Sequence, residues 1–220
     1  MSDELFTQLL YLGCGGLLLS SVLMLWRRQL SALITLLTVQ GVLLAGLAAL
    51  LGTQDGGVEL YAVAAGILVL KAGVLPTVLR RVLADTRAAR ETQPLVNVPA
   101  SLLAAALLTL VAYGVSQPLV ELDPTPATHA APVGVAMVLL GFFVLVTRRR
   151  ALSQVVGFLL LDNGIAATAF LVTAGVPLIV ELAVSMDLLL VVLILQVLTM
   201  RLHAAFGDVD IDELRTLRDR

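Results

Sequence analysis

The chain has 220 residues, of which 59% are hydrophobic and 14% are charged, and its formal net charge at pH 7 is −2. Soluble domains carry nearer to about 25% charged residues. The composition therefore excludes an ordinary soluble domain and indicates an integral membrane protein.

Seven apolar runs are long enough to cross a bilayer, which takes about 20 residues in a helix. They lie at about 5–26, 30–51, 58–80, 98–119, 131–147, 151–174 and 177–201. We therefore predict an all-α, polytopic membrane protein with seven transmembrane helices. The first run is predicted to be a retained span, because Asp3 and Glu4 stand where a signal peptide has basic residues. Cys14 is predicted to be a small buried residue at a helix contact within it.

The basic residues predict the orientation of these spans. Thirteen of the fourteen are arginines, clustered at 27–28, 80–90, 148–150 and from 201 into the tail. With seven spans, all of these clusters fall on one side. The positive-inside rule then places the N-terminus outside and the C-terminus in the cytoplasm, in a cell inner (plasma) membrane.

An internal repeat is also predicted. A shift of 122 positions places Arg27 on Arg149 and Arg28 on Arg150, Glu59 on Glu181, and Gln40 on Asp162. Spans 1–3 would thus match spans 5–7 in a parallel repeat of three helices. The predicted organisation is a first membrane repeat at 1–83, a cytoplasmic loop, connector helix and outer loop at 84–127, a second repeat at 128–205 and a cytoplasmic tail helix at 206–220. The outer loop is predicted to run from Pro118 to Pro132.

Three charged residues are predicted to lie deep in the membrane. At a rise of 1.5 Å per residue, Asp162 lies about 16 Å into its span, Asp187 about 15 Å, and Lys71 about 13 Å from Arg80. Because a charge at the bilayer centre is costly, such residues usually mark an ion or proton route. Glu181 lies nearer the outer surface.

Structural interpretations of the same residues remain open. Asp187 and Lys71 would form a static ion pair that only fixes packing. Asp162, followed by Asn163 and Gly164, would form a hydrogen-bonded helix kink. Gln40 is interpreted as a packing amide. The sequence contains no pattern for a metal site, an activated nucleophile or a nucleotide loop, so no catalysis is expected from this chain alone.

The runs RRRALSQVVGFLLLDNGI, PLIVELAVSMDLLLVVLI and FGDVDIDELRTLRD, with QGVLL and KAGVLP earlier in the chain, resemble component E of hydrogenase-4 and related formate hydrogenlyase-type complexes. That family is similar in turn to the K subunit of bacterial complex I and the C subunit of Mrp-type antiporters. Two membrane glutamates of the K subunit are proposed to belong to a proton route. Asp162 and Asp187 each lie about one helical turn from the matching positions.

The resemblance implies a membrane-arm subunit of a complex I-like respiratory hydrogenase, coupling redox chemistry in partner subunits to proton or sodium translocation. Asp162, Asp187, Lys71 and Glu181 would form the relay. The implied partners are antiporter-like membrane subunits, a hydrogenase or dehydrogenase module and membrane lipid, with no nucleic acid. A nickel–iron centre and iron–sulfur clusters are expected only in the partner subunits, and no cofactor in this chain. The alternatives are a component of a multisubunit cation/proton antiporter and a non-translocating assembly scaffold.

Overall fold

A computed structural model of the chain describes residues 2–55, 58–85, 96–148 and 151–173, and every element within them is a helix. The elements in chain order are α1 (Asp3–Trp26), α2 (Leu30–Asp55), α3 (Val58–Ile67), a π-helical segment (Leu68–Val74), α4 (Leu75–Asp85), α5 (Val98–Leu122), α6 (Pro126–Thr147) and α7 (Ala151–Thr173). The π segment joins α3 to α4 without a break, so these three elements form the third span. Helices suit apolar runs of this length because they satisfy every backbone polar group internally.

Six helices among the described residues are long and apolar enough to cross a membrane. They confirm the first six predicted spans. The seventh predicted span, at 177–201, and the tail helix at 206–220 lie outside the described residues. The count of seven and the three-helix repeat therefore stay predictions.

The long outer loop predicted between Pro118 and Pro132 is wrong. Helix α5 continues to Leu122, α6 begins at Pro126, and both prolines lie inside helices. The sequence between them starts a helix because Thr125 and Thr128 form a capping box, in which each side chain accepts a hydrogen bond from the other's backbone nitrogen. Pro126 takes the first position of α6, where proline removes no intrahelical hydrogen bond. Pro118 and Pro132 each cost their helix one backbone hydrogen bond but do not end it.

Helix α2 lies at the centre of the described bundle, where it contacts α1, α3, the π segment and α7. Helix α6 packs against α1, α5 and most extensively α7. Gly164 lets α6 and α7 pack closely together, because a Cβ atom at this position would lie only 2.6 Å from the backbone nitrogen of Val138. Cys14 in α1 is only 2% exposed, which confirms its prediction as a small buried residue.

Candidate functional site

A lysine and an aspartate form an ion pair inside the apolar bundle. The ammonium nitrogen of Lys71 lies 2.7 Å from Oδ2 of Asp162, and the two side chains are 8% and 15% exposed. Lys71 belongs to the π segment of the third span and Asp162 to the middle of α7. The pair therefore joins two helices that are distant in sequence. The carboxylate of Asp162 depends on this contact, because removing one partner of a buried pair leaves the other charge uncompensated.

The local backbone around Lys71 is unusual in two ways. The segment from Leu68 to Val74 is π-helical, and the backbone nitrogen of Leu75 bonds to the carbonyl oxygen of Leu70 five residues earlier. A π turn takes in an extra residue, and such turns are frequent at functional sites. Helix α2 also approaches here, since a Cβ atom on Gly41 would lie 2.8 Å from the carbonyl carbon of Lys71. Glycine at 41 thus allows α2 to pack directly against the lysine backbone.

A chain of neutral hydrogen bonds runs beside the ion pair. The amide nitrogen of Asn163 donates to Oε1 of Gln40 at 3.2 Å, and Nε2 of Gln40 donates to the hydroxyl of Ser21 at 2.9 Å. Ser21 in turn donates to the carbonyl oxygen of Leu17 at 2.7 Å. The side chains of Asn163, Gln40 and Ser21 are all buried. This chain ties α7, α2 and α1 together at the depth of the ion pair.

The structure brings together two of the four predicted relay residues, Lys71 and Asp162. Asp187 and Glu181 lie outside the described residues, so their places in the relay stay predictions. Helix α7 runs from Ala151 to Thr173, and the side chains of Asp162 and Asn163 bond to other helices. The helix-kink interpretation of Asp162 stays a prediction.

Gln40 is fully buried and hydrogen-bonded on both sides of its amide group, which agrees with its interpretation as a packing amide. Sequence reasoning missed Ser21. The available signal was a pair of serines, Ser20 and Ser21, within an otherwise apolar run, but serine hydroxyls in helices often bond only to their own backbone. Ser20 does so here.

Within the part of the chain that the structure describes, no group of three or more His, Cys, Asp or Glu side chains is placed to hold a metal ion. The site is instead a cation, a carboxylate and a set of amide and hydroxyl groups. Such groups can hold, exchange or relay charge inside a membrane.

In the part of the chain that the structure describes, these features define a helical membrane protein with a charged pair buried between its spans. The chain is 51% identical to the uncharacterized protein Rv0085 of Mycobacterium tuberculosis over 220 residues, which is the full length of both proteins. It belongs to the family of that protein. It is also 28% identical over 116 residues to hydrogenase-4 component E of Escherichia coli K12, covering 53% of this chain and 54% of that protein, and equally to the Shigella flexneri protein.

The match to hydrogenase-4 component E supports a distant relationship to a membrane hydrogenase subunit. No protein-family profile matches the chain. No solved structure matches it either.

Proposed function

We propose that this chain is a membrane-arm subunit of a complex I-like respiratory hydrogenase assembly of the hydrogenase-4 or formate hydrogenlyase type. It helps couple redox chemistry in partner subunits to proton or sodium translocation. The observation that carries the proposal is the buried ion pair between Lys71 and Asp162. Ionisable residues at this depth in a membrane are rare, and most of them serve ion or proton pathways.

The physics of a buried pair explains how it would relay charge. Lys71 stabilises the carboxylate of Asp162 only while the two are in contact, because a carboxylate alone inside the membrane carries a penalty of several kcal/mol. When a neighbouring charge draws the lysine away, the carboxylate is left alone and takes up a proton. When the lysine returns, the proton is released. Asp187 and Glu181 are the further members of this proposed relay.

The partners are proposed from the distant relationship to hydrogenase-4 component E. They are antiporter-like membrane subunits and a hydrogenase or dehydrogenase module, and the latter holds the nickel–iron and iron–sulfur centres. In this assembly the N-terminus lies outside and the C-terminus in the cytoplasm of the cell inner membrane. The chain itself carries out no redox step.

Purification of the tagged protein in mild detergent, followed by identification of the copurifying subunits, tests this proposal. We expect antiporter-like subunits together with a hydrogenase or dehydrogenase module. Recovery of antiporter subunits without a redox module would instead establish a multisubunit cation/proton antiporter. Recovery of the chain alone, stable and monodisperse, would contradict both assignments.

A second candidate is a scaffold whose buried polar groups only fix helix packing. The chain of hydrogen bonds from Asn163 through Gln40 to Ser21 favours it, because amide and hydroxyl groups of this kind commonly join membrane helices without taking part in transport. The replacement Asp162→Asn separates the two functions. Only the relay needs an ionisable group at this position.

A further inference from the structure

The two groups of the ion pair come from helices that are connected through a third helix. Within the described residues, the third span and α7 both pack against α2, and they share no extensive packing with each other. Helix α2 is therefore the described element that connects the two partners, Lys71 and Asp162.

Two consecutive residues of α2 make these connections. The side chain of Gln40 is fully buried and accepts a hydrogen bond at 3.2 Å from the amide nitrogen of Asn163, the residue that follows Asp162 in α7. The next residue of α2, Gly41, lies against the other partner, because a Cβ atom there would be 2.8 Å from the carbonyl carbon of Lys71. One short stretch of α2 thus contacts the neighbour of the carboxylate and the backbone of the lysine.

Gln40 is itself held in place on its other side. Its Nε2 atom donates to the hydroxyl of Ser21 at 2.9 Å, and this hydroxyl donates to the carbonyl oxygen of Leu17 in α1. Because the amide is bonded at both ends, its orientation is defined, and the acceptor offered to Asn163 is fixed. Successive residues of a helix are separated by about 100° of rotation. A bond that fixes Asn163 therefore also fixes the direction in which the residue before it faces.

We propose that Gln40 is a positioning residue for the ion pair, acting through Asn163 to hold the carboxylate of Asp162 toward Lys71. The inference deepens the proposed relay and rests on it for its functional meaning, because a relay needs the two groups within reach of each other. A packing amide alone would contribute to stability without affecting the ion pair. The test below measures the pair and not ion transport, so failure of the relay and failure of this inference are distinguishable.

The chain has a single lysine, Lys71, and this makes the pair directly measurable. The full chain is isotope-labelled at the lysine side-chain nitrogen and at the aspartate carboxyl carbons, and it is reconstituted into lipid bilayers. Solid-state NMR then measures the dipolar coupling between the two kinds of label, which weakens with the cube of their distance. The part of this coupling that Asp162→Asn abolishes belongs to the ion pair, and that part is compared among the variants.

Gln40→Met replaces the amide with an apolar side chain of similar length and removes the bond to Asn163. Thr38→Val is the matched control, because it removes a hydroxyl group of the same helix, one that donates to the carbonyl oxygen of Ile34 in that helix. Asn163→Leu removes the same bond from the α7 side and leaves Gln40 bonded to Ser21, so it decides the question if Gln40→Met does not fold. The melting temperature of every variant is recorded.

We expect Gln40→Met and Asn163→Leu to lose most of the coupling that belongs to the ion pair. Thr38→Val should keep the parent value. A lower melting temperature with an unchanged coupling in either of the first two variants would overturn the inference and leave Gln40 as a packing amide. An equal loss of coupling in Thr38→Val would overturn it as well, because the change would then not depend on the bond to Asn163.

Discussion

Asp162 and Asn163 are consecutive residues of α7, yet their side chains bond to two different spans. Asp162 pairs with Lys71 of the third span, and Asn163 donates to Gln40 of α2. One short stretch of α7 thus presents a charged group to one neighbour and a neutral amide to another. Replacing each residue should therefore change the stability of the protein by a different amount, because losing a charge and losing an amide have different energetic costs.

The energetic coupling of the ion pair is measurable by a double-mutant cycle. Lys71→Gln leaves the buried carboxylate of Asp162 without the ammonium group that pairs with it, so it should be strongly destabilising, by about 3 to 5 kcal/mol. Asp162→Asn removes the same contact and should also be destabilising. The double variant removes both charges and should lose less than the sum of the two single losses, with a coupling of about 0.5 to 3 kcal/mol. Thermal unfolding in detergent provides the values. Additive losses would show that the two side chains do not stabilise each other.

The close approach of α2 to the π segment depends on Gly41. A Cβ atom there would meet the backbone of Lys71 and Ala72 at 2.8 to 2.9 Å, so Gly41→Ala should force the two spans apart and destabilise the protein by about 1 to 3 kcal/mol. A Cβ atom on Gly46, in the same helix, would have no neighbouring atom within 4 Å. Gly46→Ala is therefore the matched control.

Because alanine is a better helix former than glycine, Gly46→Ala should leave the melting temperature unchanged or slightly raised. The contact between α2 and the π segment is tested by comparing the melting temperatures of Gly41→Ala, Gly46→Ala and the parent protein. Equal melting temperatures for the two variants would contradict the tight contact between α2 and Lys71.

The hydrogen-bond chain is tested by two adjacent serines. Ser20 and Ser21 are both buried and both donate to the carbonyl oxygen of Leu17, but only Ser21 accepts from Gln40. Ser21→Ala should therefore lower stability more than Ser20→Ala, by about 0.5 to 2 kcal/mol, the range for hydrogen bonds between membrane helices. Chemical or thermal unfolding of the two variants side by side gives the difference. A larger loss in Ser20→Ala would show that the amide of Gln40 contributes nothing through this contact.

The sequence predicted the helices well because their evidence is local. A run such as 98–119 is apolar for long enough to span a bilayer whatever its neighbours are, and α5 forms there. The loop predicted from Pro118 to Pro132 is wrong because proline alone does not end these helices: α5 continues through Pro118 to Leu122, and the Thr125 and Thr128 capping box starts α6 before Pro132.

The contacts of the site needed information that the sequence does not carry. Depth along a helix followed from the rise per residue, so Lys71 and Asp162 were both placed deep in the membrane. The contact between Asp162 and Lys71 depends on helix rotation, on neighbouring spans and on the π segment at Leu68–Val74, whose extra residue shifts the faces of the third span. Ser21 was missed for the same reason, since its partner Gln40 comes from another helix.

The central claim is that an ionisable group at position 162 relays charge in an assembled complex. Ion translocation should be measured in vesicles containing the purified complex with Asp162→Asn, with each value divided by the amount of assembled complex present. Glu59→Gln is the matched control, because it removes a carboxylate from an exposed position at the start of α3. We expect Asp162→Asn to lose most of the ion gradient while Glu59→Gln keeps it. A full gradient in correctly assembled Asp162→Asn would contradict the relay and leave the scaffold as the function of this site.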